Sequence, residues 1–136
     1  MSQLHLKIVT PEKLIFDEEV SQVNVSTQEG EIGILPHHAN LMAKVKPGEL
    51  VIKRSGKIDS LAIGGGFLQV SDNIVTVMTD LATYATDIDE RAVEEAKKRA
   101  EMALTQTLSD EEYAETLANL EKSLVQLRIK RRHKVR

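Results

Sequence analysis

The distribution of glycine and proline divides this chain into two parts. All seven glycines and all three prolines lie before residue 67, and none follows up to residue 136. Both residues are common in the turns between strands, and both are unfavourable inside a helix. The first part is therefore predicted to consist of short strands and turns. The composition changes near Ala85, and from Asp87 onward the chain can form uninterrupted helices.

Apolar and polar residues alternate along several segments of the first part. The alternation is clear in Leu4–Ile8 and recurs at residues 32–34. A period of two predicts strands with one buried face. Residues 55–56 and 71–73 separate pairs of such runs and predict short hairpin turns. Several short strands with no helical pattern between them predict an antiparallel β-sandwich or flattened barrel over residues 1–86.

The apolar period becomes helical in residues 87–136. Asp87 with Glu90 has the spacing of a capping box, and so has Ser109 with Glu112, so two helices are predicted to begin there. Because their connection is short, the helices are expected to form an antiparallel hairpin. The predicted fold class is α+β, with an N-terminal antiparallel β-sandwich followed by a C-terminal antiparallel two-helix hairpin.

Each predicted helix carries one stripe suited to contact the other helix. The stripe of the first helix is small and consists of Ala92, Ala96, Ala100 and Ala103. The stripe of the second helix is large and consists of Tyr113, Leu117, Leu120, Leu124 and Leu127. Full burial of a leucine stabilises by about 1.5–3 kcal/mol, whereas ordering the backbone of each residue costs about 1–2 kcal/mol. The hairpin is therefore predicted to be marginally stable, an arm that can change partners.

The composition limits the environment and the chemistry of the chain. The absence of cysteine excludes disulfide bonds and thiolate chemistry, and it favours a reducing, cytoplasmic compartment. The N-terminal sequence has no signal-peptide pattern, and no segment reaches the roughly 18 apolar residues of a membrane-spanning helix. We therefore expect any membrane association to be peripheral.

No constellation of residues indicates catalysis or metal binding. His37 and His38 are adjacent, and adjacent side chains on an extended segment point to opposite faces. A loop or contact role is therefore expected for them rather than shared binding of one metal ion. Gly64–Gly66 precede neither a Lys-Ser/Thr pair nor a helix, so they predict a β-bulge or a close approach of strands rather than a phosphate site.

The C-terminal residues 128–136, with the sequence RIKRRHKVR, are strongly basic. They contain six lysines and arginines and no acidic residue, which exceeds what favourable interaction with the helix dipole requires. An acidic protein surface or a polyanion is the expected partner. One hypothesis is therefore a small polyanion-binding module. The net charge of −3 and the scarcity of aromatic residues argue against nucleic acid.

Three segments carry a resemblance to a known family. They are EGEIGILPHHANLM at residues 29–42, SLAIGGGFLQV at residues 60–70 and DIDERA at residues 87–92. In this order the chain resembles the epsilon subunits of bacterial F-type ATP synthases. The resemblance implies a non-catalytic central-stalk subunit at the cytoplasmic face of the membrane, whose sandwich binds the gamma subunit and the c-ring. Such a subunit couples proton-driven rotation to ATP synthesis in the beta subunits.

The resemblance also assigns roles to particular residues. Glu31 and His38 match ring-facing positions of the loop that the family turns towards the c-ring, and Gly30 and Gly33 would shape that loop. The helical hairpin is expected to alternate between a folded state and a state extended along gamma, in which it inhibits ATP hydrolysis. The extended hairpin would reach the alpha and beta subunits, and its basic helix end would meet acidic surface of the beta subunits. The residues of this helix end are Arg128, Lys130, Arg131 and Arg132.

Some relatives bind regulatory ATP at the hairpin through an I/L-D-x-x-R-A motif. Ile88 and Asp89 match this motif, but Arg91 comes one position early, which turns a helical side chain by roughly 100°. Arg99 matches another arginine of these relatives, whereas Lys122 replaces one and so lacks the bidentate guanidinium. Gln126 replaces a further arginine. The resemblance therefore predicts weak ATP binding or none, and no other cofactor.

Overall fold

A computed structural model of the chain describes residues 2–134. Val135 and Arg136, the last two residues of the predicted basic tail, lie outside the described residues. The chain divides into two compact units between Tyr84 and Ala85. The first unit contains the strands and the second contains the helices.

The first unit contains ten strands in the part of the chain that is described. They are β1 (Leu4–Val9), β2 (Leu14–Val20), β3 (Gln22–Thr27), β4 (Gly30–Ile34), β5 (Leu41–Val45), β6 (Gly48–Arg54), β7 (Lys57–Ile63), β8 (Gly66–Ser71), β9 (Ile74–Thr79) and β10 (Ala82–Tyr84). Nine of them are hydrogen-bonded in the order β10-β7-β6-β3-β5-β8-β9-β1-β2, and β4 pairs with β3. Between β3 and β5 the register contains the single pair Thr27 and Val45, which joins the two halves of the sandwich. The predicted sandwich is confirmed.

One strand pair corrects the prediction of an antiparallel sandwich. Strands β1 and β9 are parallel, with a register from His5 opposite Ile74 to Val9 opposite Met78. The alternation of apolar residues defines which face of a strand is buried and does not define its direction. Hairpin turns fix the direction of neighbouring strands in sequence, but no hairpin connects β1 with β9. Their direction therefore depends on the path of the whole chain.

The core of the sandwich is aliphatic and comes from alternate residues of both halves. Leu4, Leu6 and Ile8 of β1 are at most 1% exposed, as are Leu50 of β6 and Leu61 of β7. Phe16 is an aromatic member of the core. Burial of each large aliphatic side chain contributes about 1.5–3 kcal/mol. This core makes the sandwich a stiff body on which surface groups are held in place.

Both predicted hairpin turns are present, although the second is one residue shorter than predicted because Ser71 still belongs to β8. Ser55 and Gly56 connect β6 to β7 with φ angles of 47° and 76°. Asp72 and Asn73 connect β8 to β9 with φ angles of 52° and 65°. Two consecutive positive φ angles match the right-handed twist of the strands, and glycine, asparagine and aspartate tolerate them best.

The glycine run allows the close strand approach that the sequence predicts. A Cβ atom on Gly66 would overlap the backbone carbonyl of Met78, and one on Gly64 would overlap the carboxylate of Asp80. Neither glycine has a positive φ, so space rather than conformation requires glycine here.

The second unit begins with a 3-10 turn over Ala85–Asp87, followed by α1 (Glu90–Ala103) and α2 (Asp110–Lys134). The prediction that Asp87 caps the first helix is wrong. Asp87 belongs to the 3-10 turn, and Asp89 Oδ1 accepts a hydrogen bond from the Ala92 amide at 3.2 Å. The Ile88 amide donates to the Ala85 carbonyl at 3.4 Å, so the chain is still turning when it passes Asp87.

The second helix begins at the predicted capping box. The Ser109 amide donates to Glu112 Oε1, and the Glu112 amide donates to Ser109 Oγ, both at 3.1 Å. The backbone amide and the hydroxyl of Ser109 lower the pKa of the Glu112 carboxyl group. These two bonds confirm the predicted capping box. It could be predicted because both partners are close together in the sequence.

The predicted packing of the alanine stripe on the leucine stripe is wrong in part. Ala100 is buried and Ala96 is half-buried, but the cleft between the helices is lined on α2 by polar residues, including Thr116 and Asn119. The side chains of Tyr113, Leu117 and Leu124 are 49%, 44% and 45% exposed. Alanine side chains let two helices approach closely, and small polar side chains fit that space better than leucine. Within the same stripe Leu127 is 3% exposed and Leu120 is half-buried, so the stripe is buried at one end and partly exposed over the rest.

Candidate functional site

The segment predicted to face the c-ring is a strand with a turn at each end. Gly30 begins β4 with a φ of 116°, and its carbonyl accepts a hydrogen bond from Thr27 Oγ1 at 2.7 Å. Glu31 is exposed on β4 opposite Ser26. His38 lies beyond the other end of β4, and the strand itself extends over about 13 Å. The structure therefore does not bring Glu31 and His38 into one tight loop.

Gly33 has a different setting from Gly30. It lies in the middle of β4 opposite Asn24, and its φ is not positive. A Cβ atom there would lie 3.4 Å from Gln22 Nε2 and 3.6 Å from Asn24 Oδ1, which are ordinary contacts. Neither space nor conformation requires glycine at this position.

Residues 35–38 form a β-turn after β4, which we call the contact turn. The His38 amide donates to the Leu35 carbonyl at 3.2 Å, and Pro36 occupies the second position of the turn. His37 at the third position has a φ of 65°. Proline followed by a residue with positive φ defines a type II turn, in which glycine is the usual third residue. His38 Nδ1 also lies 2.7 Å from the Ala39 carbonyl oxygen.

Asn73 connects the contact turn to the rest of the sandwich. Its Oδ1 accepts a hydrogen bond from the His37 amide at 2.7 Å. Its Nδ2 donates to the Gln3 carbonyl at 2.8 Å. Sequence reasoning missed this residue, although asparagine in a turn was a signal that its side chain is free to bond with nearby backbone.

An exposed row of apolar residues crosses four strands of the sandwich. Phe67 on β8 pairs with Met78 on β9, Met78 with Val9 on β1, and Val9 with Leu14 on β2. Phe67, Met78 and Leu14 are 54%, 42% and 51% exposed, and Val9 is half-buried. We call these four residues the apolar row. Large apolar residues placed together at a surface are typical of contact sites. Sequence reasoning overlooked the row because its members lie on different strands.

Two residues of the basic helix end contact other parts of the second unit through bonds that the structure defines. Arg131 Nη2 lies 2.7 Å from Glu94 Oε2 of α1, and Lys130 Nζ donates to the Ala85 carbonyl at 3.3 Å. Arg128 and Arg132 are exposed. Arg131 and Lys130, which are both among the predicted inhibitory cations, are therefore already engaged in the folded hairpin.

The residues predicted to bind a regulatory nucleotide are divided between two places. Arg99 and Lys122 line the cleft between α1 and α2, which has a volume of about 440 Å³ and also contains Gln126. Arg91 lies instead in a groove with Glu94 and Arg131.

The other two residues of the nucleotide motif have structural roles. Ile88 is 4% exposed, and the Asp89 carboxylate caps α1. Within residues 2–134, no group of three His, Asp or Glu side chains is arranged to hold a metal ion.

Both units match one protein family. Residues 3–85 match the β-sandwich domain of the ATP synthase delta/epsilon chain, and residues 86–131 match the long α-helix domain of the same chain. This chain belongs to the ATP synthase delta/epsilon family. Within the family it is an epsilon-type subunit of the F-type ATP synthase central stalk.

Similar family members extend over nearly the whole chain. The ATP synthase epsilon chain of Chloroflexus aggregans is 38% identical over 133 residues, which are 98% of this chain and 96% of that protein. The epsilon chain of Nitratidesulfovibrio vulgaris (strain DP4) is 40% identical over 127 residues, covering 93% and 95% of the two chains.

Solved structures of mitochondrial ATP synthases contain chains of the same fold. In the OSCP/F1/c-ring structure from Euglena gracilis, one chain is 25% identical with a TM-score of 0.75. The match covers 100% of this chain and 83% of that one. A chain in the central stalk/c-ring structure from Tetrahymena thermophila is 16% identical with a TM-score of 0.65, and the match covers 93% and 95%.

Family membership establishes the class of protein. As an epsilon-type member of the delta/epsilon family, the chain is a non-catalytic subunit of a complex that couples proton transport to ATP synthesis. The family match favours this function over the alternative hypothesis that the chain is a small polyanion-binding module. Neither helix in residues 2–134 combines the length and the apolar character needed to cross a membrane.

Proposed function

We propose that the sandwich joins the gamma subunit to the c-ring and that the helical unit restrains ATP hydrolysis by the alpha and beta subunits. In this proposal the chain works at the cytoplasmic face of a bacterial membrane and is held there through the complex. The observation that carries the proposal is that one stiff sandwich presents two separate contact surfaces, the apolar row and the contact turn with β4.

The apolar row is the surface that we assign to gamma. A subunit that transmits torque needs an interface that persists through many rotations, and such interfaces have an apolar centre. Phe67, Met78 and Leu14 are each at least 42% exposed, so covering them with a partner removes apolar area from water. Since the row lies on four paired strands, force applied to it is distributed over the sheet.

The contact turn and β4 form the surface that we assign to the c-ring. Glu31 and His37 are exposed there, and Leu35 is 56% exposed. Strand β4 pairs only with β3 in the described part of the chain, so its other edge is available to a partner. A polar contact of defined shape fits the polar loops of a membrane ring.

The helical unit is the part that we assign to inhibition. The ion pair of Arg131 with Glu94 is at the surface, and surface ion pairs contribute about 0–1 kcal/mol. Opening the hairpin therefore costs little at this contact. It frees Arg131 and Lys130 for acidic surface on the beta subunits, together with Arg128 and Arg132, and it makes the whole leucine stripe available to gamma.

ATP is proposed only as a weak regulatory ligand of the folded hairpin. Among the described residues, the cations that line the cleft between the helices are Arg99 and Lys122, and Arg91 lies in the other groove. A triphosphate is held best by several bidentate guanidinium groups. One arginine and one lysine offer fewer such bonds, which supports weak binding or none.

Deletion of residues 87–136 tests the assignment of the two units. The remaining sandwich keeps its aliphatic core and both contact surfaces, so it is expected to fold and to bind gamma. ATP hydrolysis by the reconstituted complex is expected to rise, whereas proton pumping driven by ATP is expected to persist. Unchanged hydrolysis would remove the inhibitory role, and loss of gamma binding by a folded sandwich would remove the assignment of the apolar row.

A further inference from the structure

We propose that Asn73 is a positioning residue that selects one of two orientations of the contact turn, the orientation in which the turn meets the c-ring. This inference rests on the proposed function of the contact turn. It concerns a residue 36 positions away from His37 in the sequence.

The contact turn has two conformations available to it. Type I and type II turns differ by a flip of their central peptide, which here joins Pro36 to His37. In a type II turn the third residue has a φ of about +80°, whereas in a type I turn it has a φ of about −90°. A residue with a side chain prefers the negative value, and glycine accepts the positive one. His37, which has a φ of 65°, is therefore in the orientation that its own side chain disfavours.

The side chain of Asn73 reverses this preference. The hydrogen bond across the turn uses the His38 amide and the Leu35 carbonyl, so it forms in both orientations. The His37 amide belongs to the peptide that flips, and it donates to Asn73 Oδ1 at 2.7 Å. A flip to type I turns this amide away from Asn73 and breaks the bond. Asn73 thus stabilises type II without taking part in the turn.

Asn73 is itself held in place by two bonds to the start of β1. Its Nδ2 donates to the Gln3 carbonyl at 2.8 Å, and its own carbonyl accepts from the His5 amide at 3.1 Å. Its φ of 65° is one that both asparagine and glycine tolerate. The position of Oδ1 is therefore set by the paired strands of the sandwich.

The flip changes the surface that the turn presents. It reverses the direction of the Pro36 carbonyl and moves the side chain of His37, which is exposed. A ring that recognises the type II surface meets a different set of polar groups in type I. The orientation of one peptide thereby controls the affinity of this joint.

Asn73→Gly in the full chain isolates the side chain, because glycine keeps the turn between β8 and β9. In NMR spectra, type II gives a strong NOE between the Pro36 Hα and the His37 amide, and type I gives a weak one. We expect this NOE to weaken in the variant and exchange of the His37 amide to accelerate about tenfold. We also expect affinity for a purified gamma–c-ring complex to fall about tenfold.

The double variant Asn73→Gly, His37→Gly supplies the rescue test. Glycine at position 37 favours type II without help, so the double variant is expected to bind the ring as well as His37→Gly alone. A purely structural role of Asn73 would lower affinity equally in both backgrounds. That result, or an unchanged NOE in Asn73→Gly, would overturn the proposal.

The same experiment separates this inference from the proposed function. If the NOE weakens but ring affinity does not change, Asn73 orients the turn and the orientation is irrelevant to the ring, so the proposal fails. If the natural chain itself does not bind the gamma–c-ring complex, the proposed function of the turn fails first, and the NMR result still reports the effect of Asn73 on the turn.

Discussion

Arg131 of α2 lies 2.7 Å from Glu94 of α1, and this ion pair links the basic end of one helix to the other helix. In the proposed extended state Arg131 binds acidic surface of a beta subunit instead. The same cation cannot occupy both places, so the ion pair competes directly with the inhibitory contact. The balance between the folded and the extended hairpin is therefore sensitive to changes at this pair.

Replacement of Glu94 by glutamine is expected to favour the extended hairpin. It removes the negative charge that pairs with Arg131, and also with Lys97 of the same helix, and it leaves all four cations of the basic end intact. We expect stronger inhibition of ATP hydrolysis and a longer average distance between spin labels on α1 and α2 in the isolated chain. Glu95→Gln is the matched control, because it makes the same chemical change on the next residue of α1. Equal effects of the two substitutions would argue against a specific role of the ion pair.

A measurable part of the stability is expected to depend on the protonation of His5. Its hydrogen bond to Asp17 has the largest effect and its hydrogen bond to Glu19 the next largest, and both raise the pKa of His5 above 6.5. Because the pKa is raised on folding, the stabilisation is complete below pH 6.5 and is lost as the pH rises through the higher folded value. The groups are partly exposed, so the effect is expected to be below about 1 kcal/mol. Urea unfolding of the natural chain and of His5→Gln between pH 5 and about pH 9 measures the difference in their free energies of unfolding. This difference should disappear at the alkaline end.

Alanine at Gly66 is expected to destabilise the sandwich strongly. The added Cβ atom would overlap the backbone carbonyl of Met78, and paired strands cannot separate locally without loss of hydrogen bonds. Overpacking of this kind costs about 1–3 kcal/mol. Gly33→Ala is the matched control, because its Cβ atom would make ordinary contacts at 3.4 Å or more. Thermal and denaturant unfolding should separate the two variants clearly, and equal stability would show that β8 and β9 can adapt.

Arginine at positions 122 and 126 is expected to strengthen ATP binding. Lys122 and Gln126 line the same cleft as Arg99, so the double variant would place three guanidinium groups around one space. ATP titration followed by NMR should show weak or undetectable binding for the natural chain and tighter binding for the variant. Arg91→Ala should leave the affinity of the variant unchanged, since Arg91 lies in the other groove. A large loss on that substitution would place the nucleotide elsewhere.

The first residues of the two helices show how much of the structure a local sequence pattern can predict. Ser109 and Glu112 form the capping box that their spacing predicts. The same spacing at Asp87 and Glu90 predicts a cap that does not form, because Asp87 lies in a 3-10 turn and Asp89 takes its place. A capping motif specifies that a helix begins nearby, and the preceding backbone decides which residue caps it.

The packing of the two helices shows what such patterns do not predict. The spacing of Tyr113, Leu117 and Leu124 marks a common face, but it does not name the partner of that face. In the folded hairpin, polar residues of α2 line the cleft beside Ala100 instead. The part of the apolar stripe that stays exposed is what we expect of a chain that makes further contacts within a larger complex.

Periodicity and turn residues were sufficient to predict a sandwich followed by a helical hairpin, because both act between residues that are close in sequence. The parallel pairing of β1 with β9, the apolar row and the hold of Asn73 on His37 appear only in the folded chain. Each of them joins residues that are far apart in sequence, and such contacts depend on the path of the backbone through all the strands between them.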